Sequence, residues 1–201
     1  MNAYLRELDD GDFELVYAED SGESESTLIM AGNITGADKE YFKYEENDRA
    51  KSKRLAAGLQ VVYNNEYLFD YTADDLQPKN GYVRLTDTDG NGTVDYAFVY
   101  DFRTVYVNNI DSEKQIIFDY YDTDKSIDVS ENAVVTVYDG GAAGQVSDIK
   151  KNSFILAAVS KSGERCELRL ISESISGTVT AADGDELYID GVKYRVAPEF
   201  A

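Results

Sequence analysis

Histidine and tryptophan are both absent from this 201-residue chain. Without imidazole there is no histidine general acid or base and no His-ligated metal centre. A single cysteine, Cys166, leaves no internal disulfide and no thiolate zinc cluster. It stands in "CELRLIS", where Cys166, Leu168 and Leu170 share one strand face, so it is expected to be a small buried apolar side chain. No apolar run is long enough to span a bilayer, and no amphipathic helix of three turns is apparent. The opening "MNAYLRELDDGDFELVY" lacks the basic-then-apolar pattern of a signal peptide. The final "YRVAPEFA" stops just after a strand-like segment, as expected of a piece cut from a longer chain. Basic residues are scarce: 19 Lys and Arg face 39 Asp and Glu, for a net charge of -20. A chain so acidic repels nucleic acid and anionic lipid, while divalent cations, basic surfaces and neutral ligands stay open as partners.

What is present favours strands. The 43% hydrophobic content supports a packed core, and 16 Tyr and 8 Phe recur in alternating patterns. "FELVYAE" (13–19), "STLIM" (26–30), "LQVVY", "EYLFDY", "GYVRL", "NAVVTVYDGG" (132–141), "SFILAAVSK" (153–161) and "ERCELRLIS" (164–172) all read as strands. "KEYFKYEEN" (39–47) is assigned to strand on its aromatics. Asn64 and Asn65 mark a hairpin turn, and "ADGDE" and "DGV" mark two more near the end. "TADDLQP" (72–78) and "AGQVSDIKKN" are expected to be short helical turns. The fold expected is mainly β: tandem small antiparallel modules of sandwich or barrel type, with only short helical turns. The polar run "SIDVSEN" suggests a boundary near 129–132, giving one module over 1–130 and a smaller one over 131–201.

One stretch carries specific chemistry. "DTDGNGTVDYAF" (87–98) matches the spacing of a calcium loop. Asp87, Asp89 and Asn91 fall at alternate positions, Gly92 allows the sharp turn, Thr93 offers its carbonyl, and Asp95 follows. A helix-loop-helix site ends on a bidentate Glu, but Phe98 stands there, and the flanks read as strands. The expected site is therefore Asp87, Asp89, Asn91, Thr93 and Asp95 on a β framework, holding structural Ca2+ with an affinity of about 0.1–1 mM. Water or a distant acid must complete the shell, with Asp70, Asp74, Asp75 and Asp101 the nearest in sequence. The alternative is an Asx-rich hairpin turn whose side chains bond their own backbone. A second acidic stretch, "DYYDTDKSIDVSE" (119–131), lacks a turn glycine and is expected to be a solvated turn.

After the loop, Tyr96, Phe98, Tyr100, Phe102 and Tyr106 share one face of an extended strand, with Ala97, Val99, Val105 and Val107 on the other. The expectation is that these aromatics, Phe98 included, pack in the core; a sugar-stacking platform is the alternative. No nucleophile elbow, P-loop or dinucleotide fingerprint occurs. Nothing among the many carboxylates selects a glycosidase pair, so no catalytic residue is assigned.

Residues 61–111, from "VVYNNEYLFDY" through "GYVRLTDTDGNGTVDYAFVYDFRTVYVNNID", resemble a region of large Firmicutes surface proteins that carry S-layer homology domains. The tail "SISGTVTAADGDELYIDGVKYRVAPEF" (174–200) is similar to other segments of those proteins. The resemblance implies an extracellular, S-layer-associated or wall-associated β module, a non-catalytic spacer or display unit of a longer protein. Its partners would be neighbouring domains or cell-wall components. A carbohydrate- or protein-binding module using exposed Tyr is the alternative, and a carboxylate glycoside hydrolase fragment stands behind both.

Overall fold

A computed structural model of the chain describes residues 2–7, 13–19, 24–130 and 134–196. It is mainly β, as the alternating patterns imply, and helical geometry among the described residues is confined to three-residue 3-10 turns. Strands β1 (Asn2–Glu7) and β2 (Phe13–Glu19) pair antiparallel.

The first large sheet uses β3 (Glu25–Met30), β4 (Ile34–Ala37), β5 (Tyr41–Glu46), β6 (Arg49–Tyr63), β7 (Glu66–Leu68), β8 (Gly81–Asp87) and β9 (Thr93–Asp101). Its order is β3-β8-β9-β6-β5-β4, with β7 also on β6. Every pair is antiparallel except β6 and β9, which run parallel. Alternation supplies the core: Ile29, Leu59, Val61, Val83, Leu85 and Val99 turn inward and are buried. Between Leu55–Val94 and Gln60–Tyr96, residues Ala56, Ala57, Gly58 and Leu59 stand opposite Asp95 alone. This bulge breaks the period of two, which lets Val94 and Ala97 both face the core.

The second large sheet takes β10 (Arg103–Asp111), β11 (Ile116–Asp119), β12 (Ile127–Asp128), β13 (Val134–Asp139), β14 (Ala142–Gly144), β15 (Phe154–Val159) and β16 (Arg165–Ile171). Its order is β12-β11-β10-β15-β16-β13-β14, with one parallel pair, β13 and β16. Val105, Val107, Ile117, Ile155 and Leu168 fill its core, together with Cys166. Burial pushes the Cys166 thiol pKa up to about 12, as befits a packing side chain. Strands β17 (Val179–Asp183), β18 (Glu186–Ile189) and β19 (Val192–Arg195) form a separate three-stranded meander through the two hairpin turns seen in the tail.

The sheets change over at Phe102, the one residue between β9 and β10, and the boundary expected near 129–132 falls partly on residues 131–133, which lie outside the described residues. Strand β10 pairs with β15, so chain on both sides of the polar run belongs to one sheet. Within that run Ile127 and Asp128 form β12, and Ile127 is buried, so local polarity does not specify which strands pair. The connection between sheets is tied at the β6–β7 turn. Asn64 and Asn65 adopt φ of 47° and 67°, as a tight two-residue hairpin turn requires. The Asn64 side chain is almost wholly enclosed. It donates to the carbonyls of Asp101 (3.2 Å) and Val159 (2.7 Å) and accepts from Asp101 N–H (2.9 Å). One amide thus bonds strands of both sheets.

Candidate functional site

The acidic loop joins β8 to β9 as a hairpin connection, so the strand pairing fixes where Asp87 and Asp95 stand. One oxygen each of Asp87, Asp89 and Asp95 lies within 4.8 Å of the others, a grouping that could hold a metal ion. The backbone turns through Gly90 and Gly92, at φ of 72° and 83°, a region costly for any residue with a Cβ. That turn aims amides inward. Asp87 Oδ2 accepts from Gly92 N–H at 2.7 Å, and Oδ1 accepts from Gly90 and Asp89 N–H at 2.8 and 3.3 Å. Asp95 Oδ2 accepts from the N–H and hydroxyl of Thr88, at 2.9 and 2.6 Å. Asp89 accepts from Asn91 through both oxygens, and Asn91 Oδ1 accepts from Thr93 N–H at 2.8 Å. Burial opposes the charge on Asp87, but the amides of Gly92, Gly90 and Asp89 outweigh it and hold the carboxyl below the usual range.

The converging groups are three carboxylates, all hard oxygen donors, and the same loop carries the Asn91 amide oxygen and the Thr93 carbonyl. That set fits calcium better than a transition metal. Among the described residues, no ion pair reaches Asp87, Asp89 or Asp95. The acids expected to complete the shell lie elsewhere. Asp101, at the far end of β9, accepts from Lys79 and Asn80 N–H and from the Tyr63 hydroxyl. Asp75 pairs with Lys161 at 2.7 Å and caps Thr72. Asp70 and Asp74 are not in the converging group either. The acid in register with Asp87 is Glu25, directly across the β3–β8 ladder, and it contacts Lys53 at 3.4 Å.

Phe98 is not in the core. Ala97 and Val99 take the buried face of β9, and Tyr96, Phe98 and Tyr100 line the other, half-buried one. There the rings form a ladder: Tyr96–Phe98 and Tyr100–Phe102 centroids are each 6.1 Å apart, with planes 13° and 17° from parallel. Only Phe102 of this stripe is fully buried, under the Arg169 guanidinium at 4.5 Å.

A second feature escaped the sequence. A cleft of about 560 Å³ opens at the junction of the two large sheets, lined by Tyr63, Asp101, Arg103, Asp119, Tyr121 and Lys125 among others. Asp119, expected in a solvated turn, is buried there; it sits 3.7 Å from Arg103 and accepts from Tyr121 N–H. Arg103 also donates to the Lys125 carbonyl. Asp122 pairs with Lys125 at 2.9 Å, and that ammonium holds its carboxyl below the usual range. Nearby Glu167 is buried too, held by Arg169 at 2.6 Å. The local sequence of Asp119 contains no signal for burial, because Arg103 comes from another strand, whereas Glu167 has Arg169 two residues along its own strand. No family model, curated protein or solved structure matches the chain.

Proposed function

We propose that the chain is a non-catalytic, calcium-stabilised structural or display module of a bacterial extracellular surface protein. The observation that carries the calcium part is the convergence of Asp87, Asp89 and Asp95 within 4.8 Å with no cation paired to them among the described residues. Three carboxylates held this close repel one another, and a divalent ion among them would remove that repulsion and lock the β8–β9 turn. The residues that would hold it are Asp87, Asp89 and Asp95, with Asn91 and Thr93 as further oxygen donors and water or Glu25 beyond the loop. Without a bidentate Glu, the affinity suits millimolar extracellular calcium.

The surface location rests on the resemblance of residues 61–111 and 174–200, and the strongly acidic charge is compatible with it. Its partners are neighbouring domains of a longer protein or wall components. The non-catalytic reading is supported by the bonds that already engage the cleft carboxylates. Asp101 is bonded by two amides and a phenol, Asp119 lies beside Arg103, and Asp122 is paired with Lys125. Titration calorimetry with calcium, and with magnesium as control, tests the metal. Saturable heat with calcium, accompanied by a higher melting temperature, is expected; no heat at millimolar calcium rejects the reading.

A further inference from the structure

We propose that the junction cleft and the aromatic shelf at its mouth bind a neutral saccharide. The cleft's volume of about 560 Å³ is in the range of small-molecule sites. Its charges cancel: Lys79, Arg103 and Lys125 face Asp101, Asp119 and Asp122, in a chain whose net charge is -20. An anion would enter against the field of the whole molecule, and a cation would have to displace Lys125 or Arg103 from their carboxylates. A ligand rich in hydroxyls faces neither penalty. It can donate to the spare lone pairs of the carboxylates and accept from the ammonium and guanidinium groups.

The shelf supplies the apolar half of such recognition. Tyr121 lines the cleft and is 64% exposed; Tyr120 beside it is 58% exposed and Phe154 is 42% exposed. Their rings pack around Tyr106, with centroids 5.4 Å (Tyr120), 6.2 Å (Tyr121) and 4.7 Å (Phe154) from it. Tyr120 and Tyr121 meet edge to face at 5.1 Å. Mutual packing holds these rings in place before any ligand arrives, so little order is lost on binding. Exposed aromatic clusters of this kind mark contact sites, and the flat C–H faces of pyranose rings stack on them. The ladder of Tyr96, Phe98 and Tyr100 offers rings but does not line this cleft.

The test titrates the folded 201-residue chain with cellohexaose, chitohexaose and mannohexaose. A heparin hexasaccharide and a proline-rich peptide serve as the anionic and peptide probes. Saturable binding of at least one neutral hexasaccharide is expected, with amide shift changes gathered at Lys79, Arg103 and Tyr121. Tyr121→Ala weakens it about tenfold at unchanged melting temperature, and Phe98→Ala leaves it intact. The proposal does not rest on the metal reading, so chelating calcium leaves binding in place. It is overturned if no neutral hexasaccharide binds, if binding survives Tyr120→Ala with Tyr121→Ala, if shifts gather on Tyr96 and Phe98 instead, or if only heparin or the peptide binds.

Discussion

The two large sheets are built alike and handle negative charge in opposite ways. Each has its own core and one parallel pair within an otherwise antiparallel sheet. The second sheet buries acids and places a guanidinium beside each: Arg103 by Asp119, Arg169 by Glu167. The first gathers Asp87, Asp89 and Asp95 at a loop and, among the described residues, gives them amides but no cation. In one sheet the counter-charge is part of the chain; on the proposed calcium reading, in the other it would come from solvent. On that reading the second sheet should be indifferent to ions that stabilise the first.

The largest effect expected from breaking this contrast is at Arg103. Arg103→Met leaves Asp119 buried beside an apolar side chain and should cost about 3 kcal/mol in urea denaturation. A cost below about 1 kcal/mol would mean that Asp119 does not depend on its guanidinium. Next comes the ion. With about 10 mM calcium, stability should rise by about 2 kcal/mol, and Asp89→Asn should abolish the rise while Arg169→Met retains it. An equal rise in Asp89→Asn would move the ion away from the loop. Gly92→Ala should cost about 1 kcal/mol with or without calcium, because φ of 83° is strained for alanine although nothing would crowd its Cβ. Equilibrium unfolding in chelator and in calcium separates the two contributions.

The smallest effect is acid sensitivity. Asp87 has a folded-state pKa below its unfolded value, so its contribution is fully present above about pH 4. Below that, the unfolded chain takes up the proton first, and the contribution fades as pH falls through the folded pKa. Asp87→Asn should lower the neutral plateau and flatten this acid part of the stability-against-pH curve. An unchanged acid limb would show that the aimed amides of Gly90 and Gly92 do not govern the charge of this loop.

Local chemistry was legible in the sequence. The Asn64–Asn65 hairpin, the tail turns, the 3-10 turns at Asp74–Leu76 and Val146–Asp148, and the burial of Cys166 all follow from nearest neighbours. So does the convergence of the Asp87, Asp89 and Asp95 carboxylates, which spacing alone implies. Partner choice was not legible. Alternation cannot say that β6 lies parallel to β9, or that β10 pairs with β15 rather than closing a module at 130. The bulge opposite Asp95 shifts which side of β9 faces the core, and Ala97 and Val99 take the place expected for Phe98. Asp119 looked solvated because Arg103, on another strand, is what makes its burial tolerable.

Phe102 has a mechanical consequence. Strands β9 and β10 follow each other with only this residue between them, so Thr93 to Asp111 is one nearly uninterrupted extended segment, up to about 60 Å in contour. A Gly/Ser tether would let two bodies swing; an interposed residue with a buried ring, whose backbone N–H donates to the Asn80 carbonyl at 2.7 Å, does not. Tension applied along the chain would pass from one sheet to the next through this segment, with Asn64 resisting shear beside it. The pair would behave as a short strut and carry orientation as well as length from one end to the other.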